Sequence, residues 1–184
     1  MKKTPLYLIA ALFITGCAVP RMIVPSTVGG SQEVPEEAMR ALAVQIETSV
    51  ANGIRDHSIA DYEGIVASTP EIHQAIRTRA ARREVLDQFL DTGFAWERTD
   101  GMVHIIRDRA YKQADRNRRN KNRDALIVIS ENDDRWTLYE GLVDANKYDR
   151  GSLNTIRAIF AEERFKLLES GQKYEGPDGE PIIR

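Results

Sequence analysis

Cysteine is nearly absent from this 184-residue chain. The single residue, Cys17, rules out an internal disulfide framework and any thiolate cluster around zinc or iron-sulfur. Histidine is scarce as well. His57, His73 and His104 form neither an HExxH nor an HxH spacing, so no metal site is expected, and nothing in the chain calls for a cofactor. There is no Gly-x-Ser-x-Gly elbow and no glycine-rich phosphate loop. Positive charge is not in excess: Lys and Arg number 26 against 28 Asp and Glu, for a formal net charge of −2, so nothing draws the whole chain toward nucleic acid. Apolar runs are short, the longest being Leu6 to Ile14, well under the roughly 18 to 20 residues a spanning helix needs. What remains, 42% hydrophobic and 29% charged, is the composition of a folded globular body, with one domain as the expectation.

The short apolar run has a definite setting. Lys2 and Lys3 precede it, and Thr15-Gly16-Cys17 follow it, which reads as an export signal over residues 1–16. Ile14-Thr15-Gly16-Cys17 also resembles the bacterial lipobox, in which small residues expose the bond before a cysteine that becomes lipid-modified. Lipidation would account for a lone cysteine in an oxidising compartment, and several acyl chains hold far better than one. Loss of Lys2 and Lys3 with the signal would leave the mature chain more acidic, so the lipid and not general surface charge would anchor it. Ala18 follows the cysteine, where aspartate retains enterobacterial lipoproteins at the inner membrane; by that resemblance the expected location is the outer membrane, facing the periplasm. Residues 17–35, with Pro20, Pro25, Pro35 and Gly29-Gly30, show no sustained period and read as a flexible, lipidated tether of roughly 23 Å r.m.s. reach.

Beyond the tether a single helical domain is expected over residues 36–184. Ala38, Met39, Leu42, Ile46, Val50 and Ile54 recur at helical spacing. Thr69-Pro70-Glu71 opens a second helix that runs to Gly93, its Arg77, Arg79, Arg82 and Arg83 forming a solvated face. Phe94 to Thr99 and Met102 to Ile106 read as a hairpin joined by Asp100-Gly101. Ala125 to Ile129 (ALIVI) fits either a buried strand or the start of a helix, and Ser130 with Asp133 resembles a capping box for the helix carrying Trp136, Tyr139, Leu142 and Val143. A last helix starts near Ser152, and Pro177-Asp178-Gly179 marks a terminal hairpin. The fold class is therefore mainly α with small β-hairpins, α+β.

Two blocks carry a resemblance. Gly93-Phe94-Ala95-Trp96-Glu97-Arg98-Thr99-Asp100-Gly101-Met102-Val103 is similar to a signature of the YdbL-like family of small periplasmic proteins. Asn132-Asp133-Asp134-Arg135, with Tyr139, Leu142 and Asn146, resembles a helix of the same family, and residues 171–183 resemble its ending. Trp96 stands where the family prefers glycine, and Pro181-Ile182 replace a terminal tryptophan. The resemblance covers residues 85–184 and implies a non-enzymatic role, as an assembly or chaperone factor in envelope systems that carry phospholipid between membranes. The chain would be an extended, lipidated version.

The residues themselves point to binding more than to chemistry. Between Arg107 and Asp124 lie eight basic residues, among them Arg116, Arg118 and Arg119, against three acidic ones. This segment is either a solvated helix face or a surface for anionic lipid, lipopolysaccharide phosphate or an acidic protein. Trp96, Glu97, Asp100, Arg135 and Tyr139 complete the candidate partner-binding set, with Arg135 expected to pair with Glu97 or Asp100. Trp136 and Tyr139, three apart, read as core. Glu131, Asp133 and Asp134 read as acids answering a helix dipole. The expected function is a membrane-anchored periplasmic binding or assembly factor, linked to intermembrane lipid transport, with an envelope protein or anionic lipid as partner and no nucleic acid or metal. The alternative is an envelope hydrolase using Glu97 and Asp100 as its carboxylate pair.

Overall fold

Periodicity of the kind just described becomes five helices and four short strands in the computed structural model, which describes residues 33–56, 59–114 and 118–184. The expected export signal, Cys17, the expected tether as far as residue 32, His57 and Arg116 lie outside the described residues. Helix α1 (Glu36–Ala51) begins after Pro35, with Glu36 and Glu37 in its first turn; Asn52 and Gly53, the latter at φ 65°, end it, so Ile54 falls outside the helix and is exposed. Helix α2 (Pro70–Leu90) opens as expected: the Thr69 hydroxyl accepts a hydrogen bond from the Ile72 N–H and Pro70 occupies the first turn. A short α3 (Arg109–Gln113) is capped by Asp108 through the Tyr111 N–H.

Helix α4 (Arg118–Asn146) is the longest element. It contains Ala125 to Ile129 outright, which decides the strand-or-helix question. Ile127 and Val128 face the core while Leu126 and Ile129 face out, so the five apolar residues divide between two faces of a helix whose polar flanks keep the same period. Because the helix is continuous, Ser130 is an interior residue and no capping box exists there. Helix α5 (Ser152–Leu167) starts where Asp149 accepts from the Ser152 N–H.

The first hairpin joins β1 (Ala95–Glu97) to antiparallel β2 (Val103–Ile105), and the terminal one joins β3 (Lys173–Glu175) to antiparallel β4 (Pro181–Ile183). The first turn is one residue longer than the Asp100-Gly101 pair suggests. The Gly101 N–H donates to the Arg98 carbonyl and the Arg98 N–H to the Met102 carbonyl, leaving Thr99-Asp100-Gly101 as the loop with Gly101 at φ 80°. Both hairpins share one sheet of order β2-β1-β3-β4, through a parallel β1–β3 pairing. On the free edge of β2, Asn132 of α4 substitutes for a strand: its side chain donates to the Val103 carbonyl and accepts from the Val103 N–H.

Two apolar clusters form the interior. One gathers α1, the first half of α2, the second half of α4 and α5, around Met39, Leu42, Ile46, Ile72, Tyr139 and Phe160. The other gathers the second half of α2, the start of α4 and the sheet, around Leu86, Phe89, Leu90, Ala95 and Val103.

Candidate functional site

Where those two clusters meet, each helix stripe carries a charged residue at a position its period marks as buried. Glu47 falls between Ala43 and Val50, Arg79 between Ile76 and Leu86, Glu131 and Arg135 between Val128 and Leu138, and Arg164 one turn after Phe160. With Glu97 of β1 they make three arginines and three glutamates, none more than 3% exposed. Their formal charges cancel, which is the condition under which ionised groups persist in an interior.

The geometry is that of paired forks. Arg135 grips both oxygens of Glu97 at 2.7 Å and turns its Nε to Glu131 at 2.8 Å. Arg79 holds both oxygens of Glu47 at 2.8 and 3.0 Å and donates from Nε to Glu131 at 2.9 Å. Arg164 closes the ring, bonding Glu47 at 3.0 Å and Glu97 at 3.3 Å. The Gly101 carbonyl sits among these donors, accepting from Arg164 at 2.8 Å, the Tyr139 hydroxyl at 3.0 Å and Arg135 at 3.3 Å. Five elements and the hairpin turn are thereby tied at one point. At the rim, Arg82 bridges Glu131 and Asp134.

Burial pushes the Glu97 carboxyl upward, and the Arg135 and Arg164 guanidiniums override it and hold the group down at about 2. Glu131 and Glu47 are likewise held well below the ordinary carboxylate range, burial being outweighed by Arg79 with Arg135 in the first case and Arg79 with Arg164 in the second. All three therefore remain acceptors through the physiological range.

Several sequence expectations change here. Arg79 is buried rather than solvated, Arg82 is mostly buried, and Arg83 pairs with Asp87, so of the four only Arg77 is exposed. Glu131 serves the ion ring rather than a helix dipole. Tyr139 is core, but Trp136 is 38% exposed with the Arg157 guanidinium 5.5 Å from its ring. Among the candidate partner-binding residues, Glu97, Arg135 and Tyr139 lie in the interior. The expected Arg135–Glu97 pair is present. It joins the two sequence blocks physically, since the Gly101 carbonyl accepts from both Arg135 and Tyr139. Trp96 is half-buried on the outer face of the sheet beneath Arg98, and Asp100 is spent in the turn, accepting from Met102 N–H and close to His104. A carboxylate pair for hydrolysis is not available from these two: Glu97 is 1% exposed and clamped by arginine, so no substrate reaches it. Glu47 and Arg164 were not singled out in the sequence, and Arg79 and Glu131 were read there as surface groups, although a charge interrupting an apolar stripe at i±3 or i±4 was the available signal.

The surface is where contact with another molecule remains open. Arg118 and Arg119 are exposed at the start of α4. Leu126 and Ile129, 64% and 55% exposed, follow on the same helix. A hollow of about 240 Å³ separates that helix from β2, lined by His104, Ile105, Arg107, Ala125, Ile129 and Asn132 among others. A second, of about 390 Å³, lies at the far end of α4 between Trp136, Glu140, Asp144 and Leu153. Among the described residues no group of three or more His, Cys, Asp or Glu is placed to hold a metal, and no helix is long and apolar enough to cross a membrane. No family model, curated protein or solved structure matches the chain.

Proposed function

We propose that this chain is an exported lipoprotein, acylated at Cys17, whose α+β body acts as a binding or assembly factor in the cell envelope. The observation that carries the reading is the order of features at the N-terminus: Lys2-Lys3, the apolar run Leu6 to Ile14, small residues, then the chain's single cysteine. The chemistry of the body supports binding over catalysis. Its strongest acid-base groups neutralise one another inside the fold, where they hold elements together, and its exposed basic and apolar side chains are those that make contacts. The YdbL-like blocks point the same way, toward an envelope factor associated with intermembrane lipid transport, and Ala18 favours the outer membrane facing the periplasm.

Metabolic labelling with palmitate tests the anchor. Wild-type protein is expected to take up label and to accumulate as an unprocessed precursor under globomycin, whereas Cys17→Ala protein takes up none. Equal labelling of the two would refute acylation at this site. Crosslinking of intact envelopes followed by mass spectrometry then identifies the partner.

A further inference from the structure

The outward face of α4 changes character along its length. At 100° per residue, Arg119, Asn122, Leu126, Ile129 and Asp133 fall on one stripe, with Arg118 and Arg123 to either side. Up to Ile129 this face is arginine around two protruding aliphatic side chains; from Asp133 onward it is acidic, with Glu140 also exposed. Exposed Arg107, at the mouth of the hollow between β2 and α4, extends the basic half. Of the acids nearest in sequence among the described residues, Asp124 is buried and Asp108 caps α3 through the Tyr111 N–H, so neither lies on the exposed face. Cations ringing exposed Leu and Ile on a rigid helix match the surface of a bilayer, where the guanidiniums meet lipid phosphates and the aliphatic groups enter the boundary with the acyl chains.

We infer that the face formed by Arg107, Arg118, Arg119, Arg123, Leu126 and Ile129 docks on the surface of an anionic phospholipid bilayer. The inference rests on the lipid-anchor reading for the nearness of a membrane, and it adds an orientation. The sixteen residue steps from Cys17 to Glu33 can span at most about 55 Å, so an anchored body stays within reach of the lipid surface. The patch decides which side faces the lipid. Docked this way, the body carries the acidic far end of α4, with exposed Glu140, away from the contact.

The test uses the full chain carrying Cys17→Ala, so that neither acylation nor its failure affects the result. Binding is measured to vesicles of phosphatidylcholine alone and of phosphatidylcholine with phosphatidylglycerol. We expect a clear preference for the anionic vesicles that weakens as salt rises, the Debye length shrinking from about 10 Å at 0.1 M to about 3 Å at 1 M. Arg118→Glu/Arg119→Glu/Arg123→Glu should reduce anionic binding by about a hundredfold or more. Leu126→Ser/Ile129→Ser should reduce it by about tenfold on both sides of the salt range. Because Cys17→Ala removes the chain's only cysteine, Leu126→Cys can be labelled with a polarity-sensitive dye. Its emission should shift to the blue on anionic vesicles while that of labelled Glu140→Cys does not. Unchanged circular dichroism and urea midpoint identify variants that remain folded. Equal binding to both vesicle types overturns the proposal, as does a preference that survives the triple reversal. So does an absence of vesicle binding with photocrosslinks from position 126 to an envelope protein, which would make the face a protein-docking surface.

Discussion

Arg135 meets two carboxylates at once and a carbonyl besides, so removing it does more than delete one contact. Among the described residues, Arg135→Ala leaves the Glu97 carboxylate with the 3.3 Å bond from Arg164 and strips Glu131 of its closest donor, both groups being buried. Breaking a buried pair from one side costs about 3–5 kcal/mol, and a loss of that size in urea denaturation is the expected outcome. A paired Glu97→Gln/Arg135→Met substitution should lose markedly less than the sum of its two single changes, because no charge is then stranded on that side of the ring. A pairing of Arg135 with Glu97 or Asp100 was suggested by the two resemblance blocks, and the structure selects Glu97. The bond to Glu131 was not so suggested: that residue looks like a surface acid until Arg79, 52 positions away, is seen beside it.

At the scale of elements, the hairpin turn is the most constrained piece of backbone. Gly101 stands at φ 80°, and a Cβ there would lie 3.1 Å from the Arg157 carbonyl and 3.3 Å from the Tyr139 hydroxyl, next to the carbonyl that three donors share. Gly64 has a similar φ of 86° but open space around it. Gly64→Ala should therefore cost only the left-handed strain, about 1–2 kcal/mol, while Gly101→Ala should cost more, and comparing their thermal midpoints separates strain from crowding. The hairpin and the α2 cap were legible because both depend on residues a few positions apart. The extra loop residue was not, since the register is fixed by Asn132 and by the ion ring and not by Asp100-Gly101 alone.

For the whole molecule, the ionisable groups set opposing pH trends. Glu97, held near 2, contributes stability that is fully present above about pH 4.5 and is lost as pH falls toward 2; Glu47 and Glu131, also held low, act in the same direction. Asp87 does the reverse. Burial raises it to about 6, with Glu169 and Asp91 adding to the shift and Arg83 opposing it, so its contribution is fully present below about pH 4 and is lost as pH rises through 6. Stability should rise steeply from pH 2 to about 5 and then decline gently toward pH 7. Asp87→Asn should remove the gentle decline and leave the acid limb in place, which urea midpoints across that range will show.

From its residues alone this chain already declares a short apolar run beside a lone cysteine, amphipathic helices, the α2 cap and two hairpins, because each depends on side chains within one or two turns of one another. Tertiary structure decided the rest: that both hairpins share a sheet, that Ala125 to Ile129 is helix, and which charges are inside. An ionised side chain can be buried only if its counter-charge is brought beside it, and within the ring the partners come from as far as 117 positions away, from Glu47 to Arg164. No local pattern carries that distance, so Arg79, which reads as solvent-facing along α2, becomes once packed part of the neutral ring that ties the helices together.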